Sequence, residues 1–384
     1  MLKVAIGHSN DPDSESAISE VIEQCLEQFD ADTPAPIAAF LLTAIDFDHQ
    51  LILDCIHAKF PNIALIGGTT DGEMSSQLQF RQDSLVLTLF CSDDIQIQAG
   101  LGRNLSYDPI AGAAEAIKHG KGENTETPKL CLTIAEGIGY DSNAVVEGLK
   151  EVLGDRFPIF GGATADQQRF KASYQFFGRE VLTDVVTLFF LYGDLQFSCG
   201  IAHGWKPIGK IATLTEVASN SVVKIDGQSA TNLYDSYLQG LQPSPEYPLA
   251  IIEEGGDFYL RLPVGSNRET GELNFLTNLP IDTQVQVAFA TREDVMAATR
   301  DSFKIAFDRY PGKQPDVALL FSCCTRRQIL GTRTQEECQL VNKLSKQELP
   351  FVGFYTYGEI GPMEIGGKVR LHHQTFITLL LGTC

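Results

Sequence analysis

Short apolar runs alternate along the chain with segments whose apolar residues recur at helical spacing. Runs of this length, bounded by turn residues, are typical of buried strands. Helical spacing places apolar side chains on one face at Val145, Val146, Leu149, Val152 and Leu153. The alternation predicts an α/β protein with an α+β tendency, in which helices flank mixed, partly antiparallel sheets.

One pattern occurs three times along the chain. A proline precedes a short apolar stretch, a glycine and a hydroxyl-rich turn that carries an acid, at residues 60–73, 157–166 and 349–362. An apolar strand precedes each copy, at 37–43, 130–134 and 317–322, and another follows it, at 85–90, 185–190 and 375–381. The repetition predicts duplicated strand-helix-strand-hairpin units at about 30–110 and 125–210, with a third copy nearer the C-terminus.

The chain changes its pattern after the second unit. Polar and apolar residues alternate at 94–100 and again at 194–200, as in half-exposed strands, whereas a new pattern starts at Val222–Gly227. At roughly 150 residues per domain, a length of 384 residues predicts two or three domains. We therefore expect two domains, at 1–215 and 216–384, with the duplication in the first and the third copy in the second.

Charge and composition narrow the range of partners. The chain has 29 Lys and Arg against 49 Asp and Glu, a net charge of −20. Nucleic acid and anionic lipid both attract clustered basic residues, so we expect neither as a partner. No apolar run has the length of a membrane span, and no targeting segment is visible. Nine scattered cysteines favour reduced thiols and a cytoplasmic location.

Several motifs of catalytic and metal-binding proteins are absent from the sequence. It contains no Cys-x-x-Cys, no His-Glu-x-x-His and no nucleophile-elbow pattern. The Gly366–Val369 segment lacks both the first glycine and the hydroxyl residue of a phosphate-binding loop. We therefore expect a protein that is not an enzyme and that holds no metal.

The repeated turns carry a resemblance to a known family. Three segments resemble the FIST N-terminal domain: Gly67–Glu73, Phe160–Asp166 and His203–Gly209. Four others resemble its FIST C-terminal partner: Asp226–Gly227, Phe321–Cys323, Gly353–Pro362 and Leu371–Thr375. Together the two domains cover nearly the whole chain, with the FIST N-terminal domain at 1–215 and the FIST C-terminal domain at 216–384.

The resemblance implies a sensory module of signal transduction that binds a small molecule, such as an amino acid or similar metabolite. Members of the family are often fused to, or encoded beside, histidine kinases, methyl-accepting receptors or diguanylate cyclases. This chain leaves no residues for such a segment, so we expect a separate partner, for example a histidine kinase, a cyclase or another signalling protein. Some bacterial relatives are haem-binding nitric-oxide sensors, and an animal relative is a substrate receptor of a ubiquitin ligase. A haem-based gas sensor and a ligand-free interaction adaptor are therefore the alternatives.

Tyr355, Tyr357 and Glu359 form the best-marked candidate ligand site. They alternate along an extended stretch, so we expect all three side chains on one face. Two phenols and a carboxylate can bind an ammonium group through hydrogen bonds and cation–π contact. The alternative is a capped strand end with two half-buried tyrosines.

The turns of the first two copies offer an equivalent pocket, at Thr69, Thr70, Asp71, Thr164 and Asp166. Free backbone N–H groups in Gly-rich turns can bind a carboxylate or phosphate. Threonine and aspartate are also ordinary turn and helix-capping residues, and that interpretation is favoured here.

His203 and Trp205 flank a glycine after the second unit and can line a pocket. No cofactor is predicted, with haem as the alternative, for which His203, His372 or His373 can supply an axial ligand. The alternative for each histidine is a structural hydrogen bond or a solvated strand end.

Cys323 ends an apolar strand at the edge where α/β proteins usually bind ligands. The nearby Arg326 and Arg327 would lower the pKa of a thiol, so Cys323 is a candidate ligand contact and Cys324 a packing residue. An enzyme acting through Cys323 would need an exposed and unusually acidic thiol.

Overall fold

A computed structural model describes residues 2–139, 142–239, 242–253, 255–346 and 348–383. Its elements are numbered in chain order. The first unit consists of β1 (Lys3–Ser9), α1 (Ser14–Glu27), β2 (Pro36–Thr43), α2 (His49–Lys59), β3 (Ala64–Thr69), β4 (Glu73–Ser75), β5 (Gln79–Arg81) and β6 (Leu85–Cys91). The second repeats this order with β7 (Ile95–Arg103), α3 (Pro109–Lys121), β8 (Leu130–Ala135), α4 (Ser142–Leu153), β9 (Ile159–Ala163), β10 (Gln175–Phe177), β11 (Glu180–Leu182) and β12 (Val185–Gly193).

The third unit is interrupted after its first strand, β13 (Leu195–Ala202). The interruption, called the insert below, spans 206–289 and contains β14 (Lys206–Ala218), β15 (Ser221–Ile225), β16 (Gln228–Ser229), α5 (Thr231–Leu238), β17 (Leu249–Ile252), β18 (Phe258–Arg261), β19 (Pro263–Asn267), β20 (Glu272–Phe275) and β21 (Gln284–Phe289). The unit resumes with α6 (Arg292–Asp308), β22 (Val317–Cys323), α7 (Cys324–Leu330), a 3₁₀ turn (Gly331–Arg333), α8 (Thr334–Leu344), β23 (Phe351–Thr356), β24 (Glu359–Pro362), β25 (Val369–His372) and β26 (Phe376–Thr383).

Three sheets have the same strand order, and each takes its last two strands from another unit. The first sheet runs β1-β6-β2-β3-β10-β11, the second β7-β12-β8-β9-β24-β25 and the third β13-β26-β22-β23-β4-β5. In each sheet the second and third strands of the unit are parallel, and the neighbouring pairs are antiparallel. The mixed sheets and flanking helices confirm the predicted fold class.

The insert forms a sheet of its own, in the order β18-β17-β21-β14-β15-β20-β19, with β16 paired to β15. Strand β13, which precedes the insert, pairs along its length with β26 at the C-terminal end of the chain. The domain division at 215/216 and the limits of the duplication stay predictions.

The three sheets share one apolar core. A single cluster of buried side chains combines Phe40 of the first sheet, Phe160 of the second and Phe354 of the third. Helices cover the outer faces, with α1 and α2 on the first sheet, α3 and α4 on the second, and α6 and α8 on the third. No helix in the described ranges combines the length and the apolar character that a membrane span requires.

A glycine stands at the same point of all three third strands because the neighbouring backbone leaves no room for a side chain. A Cβ atom at Gly67 would lie 1.9 Å from the carbonyl oxygen of Leu41. The corresponding distances are 1.8 Å from Thr133 at Gly161 and 2.2 Å from Leu320 at Gly353. A side chain at any of the three positions would therefore force the third strand away from its parallel partner.

We expect Gly67→Ala to lower the free energy of unfolding by about 3 kcal/mol, because its Cβ would clash with backbone that cannot move alone. Gly265→Ala is the matched control, since nothing lies within 4 Å of a Cβ atom there, and its effect should stay within about 1 kcal/mol. Urea unfolding of both variants checks this, and equal stabilities would contradict it.

Candidate functional site

The turns that follow β3, β9 and β23 meet one another. Tyr355 and the first turn exchange backbone hydrogen bonds, from Asp71 N–H to Tyr355 O (2.9 Å) and from Tyr355 N–H to Gly72 O (2.9 Å). The second turn joins the other two through Ala165 N–H to Thr69 O (2.9 Å) and Ala163 N–H to Gly358 O (2.9 Å). The structure therefore brings the three repeated turns together.

A cavity of about 540 Å³ lies between these turns and the insert. The three units contribute Gly137, Ile138, Gly139, Phe170, Cys323, Cys324, Thr325, Gln328 and Tyr357 to its wall, and the insert contributes Ser219, Asn220, Pro245, Leu262, Val264, Leu276, Thr277 and Asn278. The wall is therefore mainly apolar, with a few hydroxyl, amide and thiol groups. Two of the residues predicted to contact a ligand, Tyr357 and Cys323, lie on this wall.

Tyr357 is held in place from both sides. Its hydroxyl donates to Asp166 Oδ1 (2.7 Å) and accepts from the backbone N–H of Gln168 (2.7 Å). Its ring stacks on Phe170 with centroids 4.9 Å apart and an interplanar angle of 17°. Burial and the bond to Asp166 raise the pKa of the phenol. Burial would raise the pKa of Asp166, but backbone N–H donors, led by Lys171, and the phenol lower it.

Tyr355 and Glu359 do not share a face with Tyr357. The chain leaves the third sheet after Thr356 and enters the second sheet at Glu359, which interrupts the alternation. The Tyr355 hydroxyl points to the helix layer and donates to Glu337 Oε2 (2.6 Å). Glu359 is fully buried, and its Oε2 accepts from the backbone N–H (3.0 Å) and the hydroxyl (2.8 Å) of Thr375. Their role in ligand binding stays a prediction.

A buried ion pair lies behind Tyr355. Arg326 Nη2 and Glu337 Oε1 are 2.6 Å apart, and both side chains are fully enclosed. Glu337 also accepts hydrogen bonds from the hydroxyls of Thr299 (2.6 Å) and Ser322 (3.0 Å). This network was not predicted, because it joins distant parts of the chain that share no local motif.

The predicted residues of the first turn serve the junction between turns. Thr69 Oγ1 accepts from the backbone N–H of Tyr174 (3.0 Å), and the Thr70 hydroxyl donates to Glu73. Asp71 Oδ2 pairs with Arg327 Nη1 (2.8 Å). Burial raises the pKa of Asp71 to about 6 although Arg327 opposes that rise.

The second turn is tied in the same way. The Thr164 hydroxyl is hydrogen-bonded to Ser173 Oγ (2.7 Å) and Gln175 Nε2 (2.7 Å), while Asp166 caps the backbone N–H groups of Phe170 (2.9 Å) and Lys171 (2.7 Å). Thr69, Thr70, Asp71, Thr164 and Asp166 are thus buried connectors beside the cavity, and they do not form its wall.

The histidines do not fit a haem site. His203 Nδ1 accepts the backbone N–H of Trp205 (3.0 Å), and Trp205 is buried, with its indole N–H donated to Glu246 O (3.2 Å). His372 Nε2 bonds Gly361 O (2.9 Å). Burial lowers the pKa of His203 to about 4 and those of His372 and His373 to about 3.

His372 and His373 lie on the wall of neither the 540 Å³ cavity nor a second cavity of about 510 Å³ that His203 lines. Within the described ranges, no group of His, Cys, Asp and Glu is arranged to hold a metal ion. His372 and His373 are therefore built into the protein interior, and the half-buried His203 lines a different cavity, so the three are not gathered around one space for a macrocycle.

Phe170 and Thr277 were missed by the sequence analysis. Phe170 follows Gln167 and Gln168 in a loop where all three residues have positive φ angles, of 50°, 57° and 63° respectively. Thr277 reaches the cavity only because the insert folds over the turns. Neither feature leaves a local sequence signal.

We expect Glu73→Gln to become more stable than the wild type as the pH rises. Burial raises the pKa of Glu73 from 4.5 to about 8, so the folded state resists ionisation that the unfolded chain undergoes. The stability that neutral Glu73 contributes is fully present below pH 4.5. It is lost as the pH rises from 4.5 to about 8, at about 1.4 kcal/mol per pH unit. Urea unfolding between pH 5 and pH 8 measures this, with the exposed Glu27→Gln as control. Parallel pH profiles of wild type and Glu73→Gln would refute it.

Comparison with known proteins identifies the family. The sequence matches the FIST N domain over residues 37–228 and the FIST C domain over residues 209–362. Uncharacterized proteins of Mycobacterium bovis and Mycobacterium tuberculosis are each 22% identical to it, over 97% of this chain and 97% of their own length. An uncharacterized protein of Aquifex aeolicus is 24% identical over 28% of this chain and 44% of its own length.

Two solved structures of cyanuric acid hydrolases are also similar in outline. One, described as an evolutionary innovation by structural concatenation, has a TM-score of 0.37 and 8% identity and covers 100% of both chains. The other, from A. caulinodans, has a TM-score of 0.40 and 8% identity and covers 100% of this chain and 99% of its own. FIST domains are associated with sensory signal transduction. The two domain matches together span most of the sequence, and the protein belongs to the FIST family.

Proposed function

We propose that this protein is a cytoplasmic sensor that binds a small molecule, such as an amino acid or similar metabolite, without transforming it. The 540 Å³ cavity carries the proposal. Its volume is within the range of sites for small ligands, and its mainly apolar wall with few polar groups is the usual composition of such sites. The eight described cysteines are free thiols, which supports a reducing compartment.

The composition of the wall favours a ligand with an apolar part. Its lining residues in the described chain include no Asp, Glu, Lys or Arg. An amino acid with an apolar side chain can place that side chain against Leu262, Val264 and Leu276. Its ammonium group can then approach the aromatic face of Tyr357.

The position of the cavity suggests how binding is passed on. One wall belongs to the three-unit core and the other to the insert, so a ligand that contacts both favours the arrangement in which they are close. Contacts already join the two sides, for example the hydrogen bond from Arg261 Nη1 to Leu371 O (3.2 Å) and the ion pair between Arg370 and Glu253, so a ligand would add to an existing interface. A separate signalling protein that recognises the outer surface of the insert would respond to this change.

We expect Leu276→Trp to weaken the binding of an apolar amino acid at least about tenfold, because the indole would fill the cavity from a residue that is 44% exposed. Isothermal titration calorimetry with L-leucine and L-phenylalanine, after a thermal-shift screen of the standard L-amino acids, measures this. Ile281→Trp is the matched control, since Ile281 is 55% exposed on the insert and does not line the cavity.

Two outcomes would count against the proposal. One is that no compound in the screen binds the wild type. The other is that Leu276→Trp and Ile281→Trp bind equally well, which would place the ligand elsewhere.

A further inference from the structure

Cys323 combines a reactive group with access to the cavity. It is the last residue of β22 and immediately precedes α7. The residue is 1% exposed overall, yet it forms part of the cavity wall together with Cys324. Cys323 thus borders the cavity while it is almost fully covered, so a reagent approaches it from the cavity rather than from the outer surface of the protein.

Several donors stabilise Cys323 as a thiolate. Burial disfavours the charged form, but hydrogen bonds from the Cys324 thiol and from backbone N–H groups of Gln374 and Thr325 lower the pKa of Cys323 to about 6. Gln374 is held in a left-handed conformation with φ of 66°. Cys324, by contrast, has a pKa well above the ordinary value, because it donates to Cys323 and is itself buried. Of the two thiols, Cys323 is therefore the one that ionises more readily.

Two buried polar side chains accompany Cys323. Glu359 is fully buried and is hydrogen-bonded to the Cys323 thiol, and burial, followed by the charge on Cys323, raises the pKa of its carboxyl group. On the opposite wall, Thr277 is 4% exposed, and its Oγ1 has no hydrogen-bond partner. The cavity thus offers a nucleophile on one side and an unused hydroxyl on the other.

We propose that Cys323 captures an α,β-unsaturated carbonyl compound covalently inside the cavity, with the Thr277 hydroxyl available to its carbonyl oxygen. This inference rests on the proposed function, since it assumes that the cavity admits a small ligand. We infer an organic ligand rather than a peroxide, because the apolar side chains of Leu262, Val264 and Leu276 give no favourable contact to so small and polar a compound. For this class of ligand, unlike a reversibly bound amino acid, the sensor would form one covalent adduct per protein molecule.

The step is an addition without a change of redox state. The Cys323 thiolate forms a bond from Sγ to the β-carbon, and the π electrons of the carbon–carbon double bond move to the α-carbon and carbonyl oxygen. The resulting enolate takes a proton from water, and the hydroxide formed is neutralised by the proton that the Cys323 thiol released to solvent when it ionised. The product is a thioether that contains every atom of the ligand and of the thiol.

The full-length protein can be tested with phenyl vinyl ketone at pH 7. Cleavage after Lys313 and Arg326 yields a peptide, 314–326, that contains Cys323 and Cys324, and fragment ions distinguish the two. We expect one ketone mass on Cys323, added at a rate that saturates with ketone concentration. The rate should be at least about tenfold higher than at Cys55, whose pKa is raised mainly by burial although the residue is partly exposed.

Variants of Cys324 test whether Cys323 reacts because its pKa is lowered or only because the ketone can reach it. The rate of addition to wild-type Cys323 should rise with pH through a midpoint near 6. Cys324→Ala removes a donor and should raise that midpoint by about one pH unit or more, whereas Cys324→Ser keeps a hydroxyl donor and should change it less. The other ionisable neighbours are Glu359 on β24 and, around Cys324, Asp71 and Tyr357. Cys323→Ser should abolish the saturable labelling.

Propiophenone, which lacks the reactive double bond, distinguishes the two proposals. If it raises the melting temperature while phenyl vinyl ketone leaves Cys323 unlabelled, the cavity binds ligands but covalent capture is wrong. Covalent capture would also be wrong if the labelling rate of Cys323 rose linearly with ketone concentration, without reaching a plateau, and was no higher than that of Cys55. A failure of both ketones together with the amino-acid screen would remove the ligand-binding function as well.

Discussion

Backbone hydrogen bonds between units complete each of the three core sheets. Strands β4 and β5 extend the sheet of the third unit, β10 and β11 that of the first, and β24 and β25 that of the second. To reach its neighbour, each hairpin must leave its own sheet directly after the third strand. The exit of the chain at this point places the three turns side by side, next to the glycines at which each third strand packs closely on its own parallel partner.

The Arg326–Glu337 pair extends this constraint to the cavity. Enclosing both charges is costly unless each has further partners, and here each has several. Arg326 belongs to the first turn of α7 and also donates to backbone oxygens, including that of Gln374 (3.5 Å). The pair therefore fixes α7 relative to the strand end that carries Cys323. Tyr355, which looked like a ligand residue, contributes to this support.

The local sequence pattern predicts where strands and turns occur, but it does not predict which strands pair or which side chains meet. The apolar run at 317–322 became β22, and the hydroxyl-rich turns lie where the repeat put them. Alternation failed at Tyr355 and Glu359, because it holds only while a strand stays in one sheet. Cys323 and Tyr357 lie on the cavity wall, whereas Thr277 was unpredictable, since the fold of the insert over the turns depends on contacts between distant residues.

The hairpins that each unit contributes to the sheet of another unit also determine the order in which the three sheets can be completed. Strand β4 is synthesised well before its partner β23, because the second unit and the insert lie between them in the chain. The edge of β4 must stay unpaired until then, and such exposed edges attract other chains. The first sheet obtains its missing hairpin from the second unit, and the second sheet only from the third. The nascent protein is thus most vulnerable to aggregation while the third unit is incomplete, since a chain that ends within the insert lacks β24 and β25 of the second sheet and cannot form the third sheet at all.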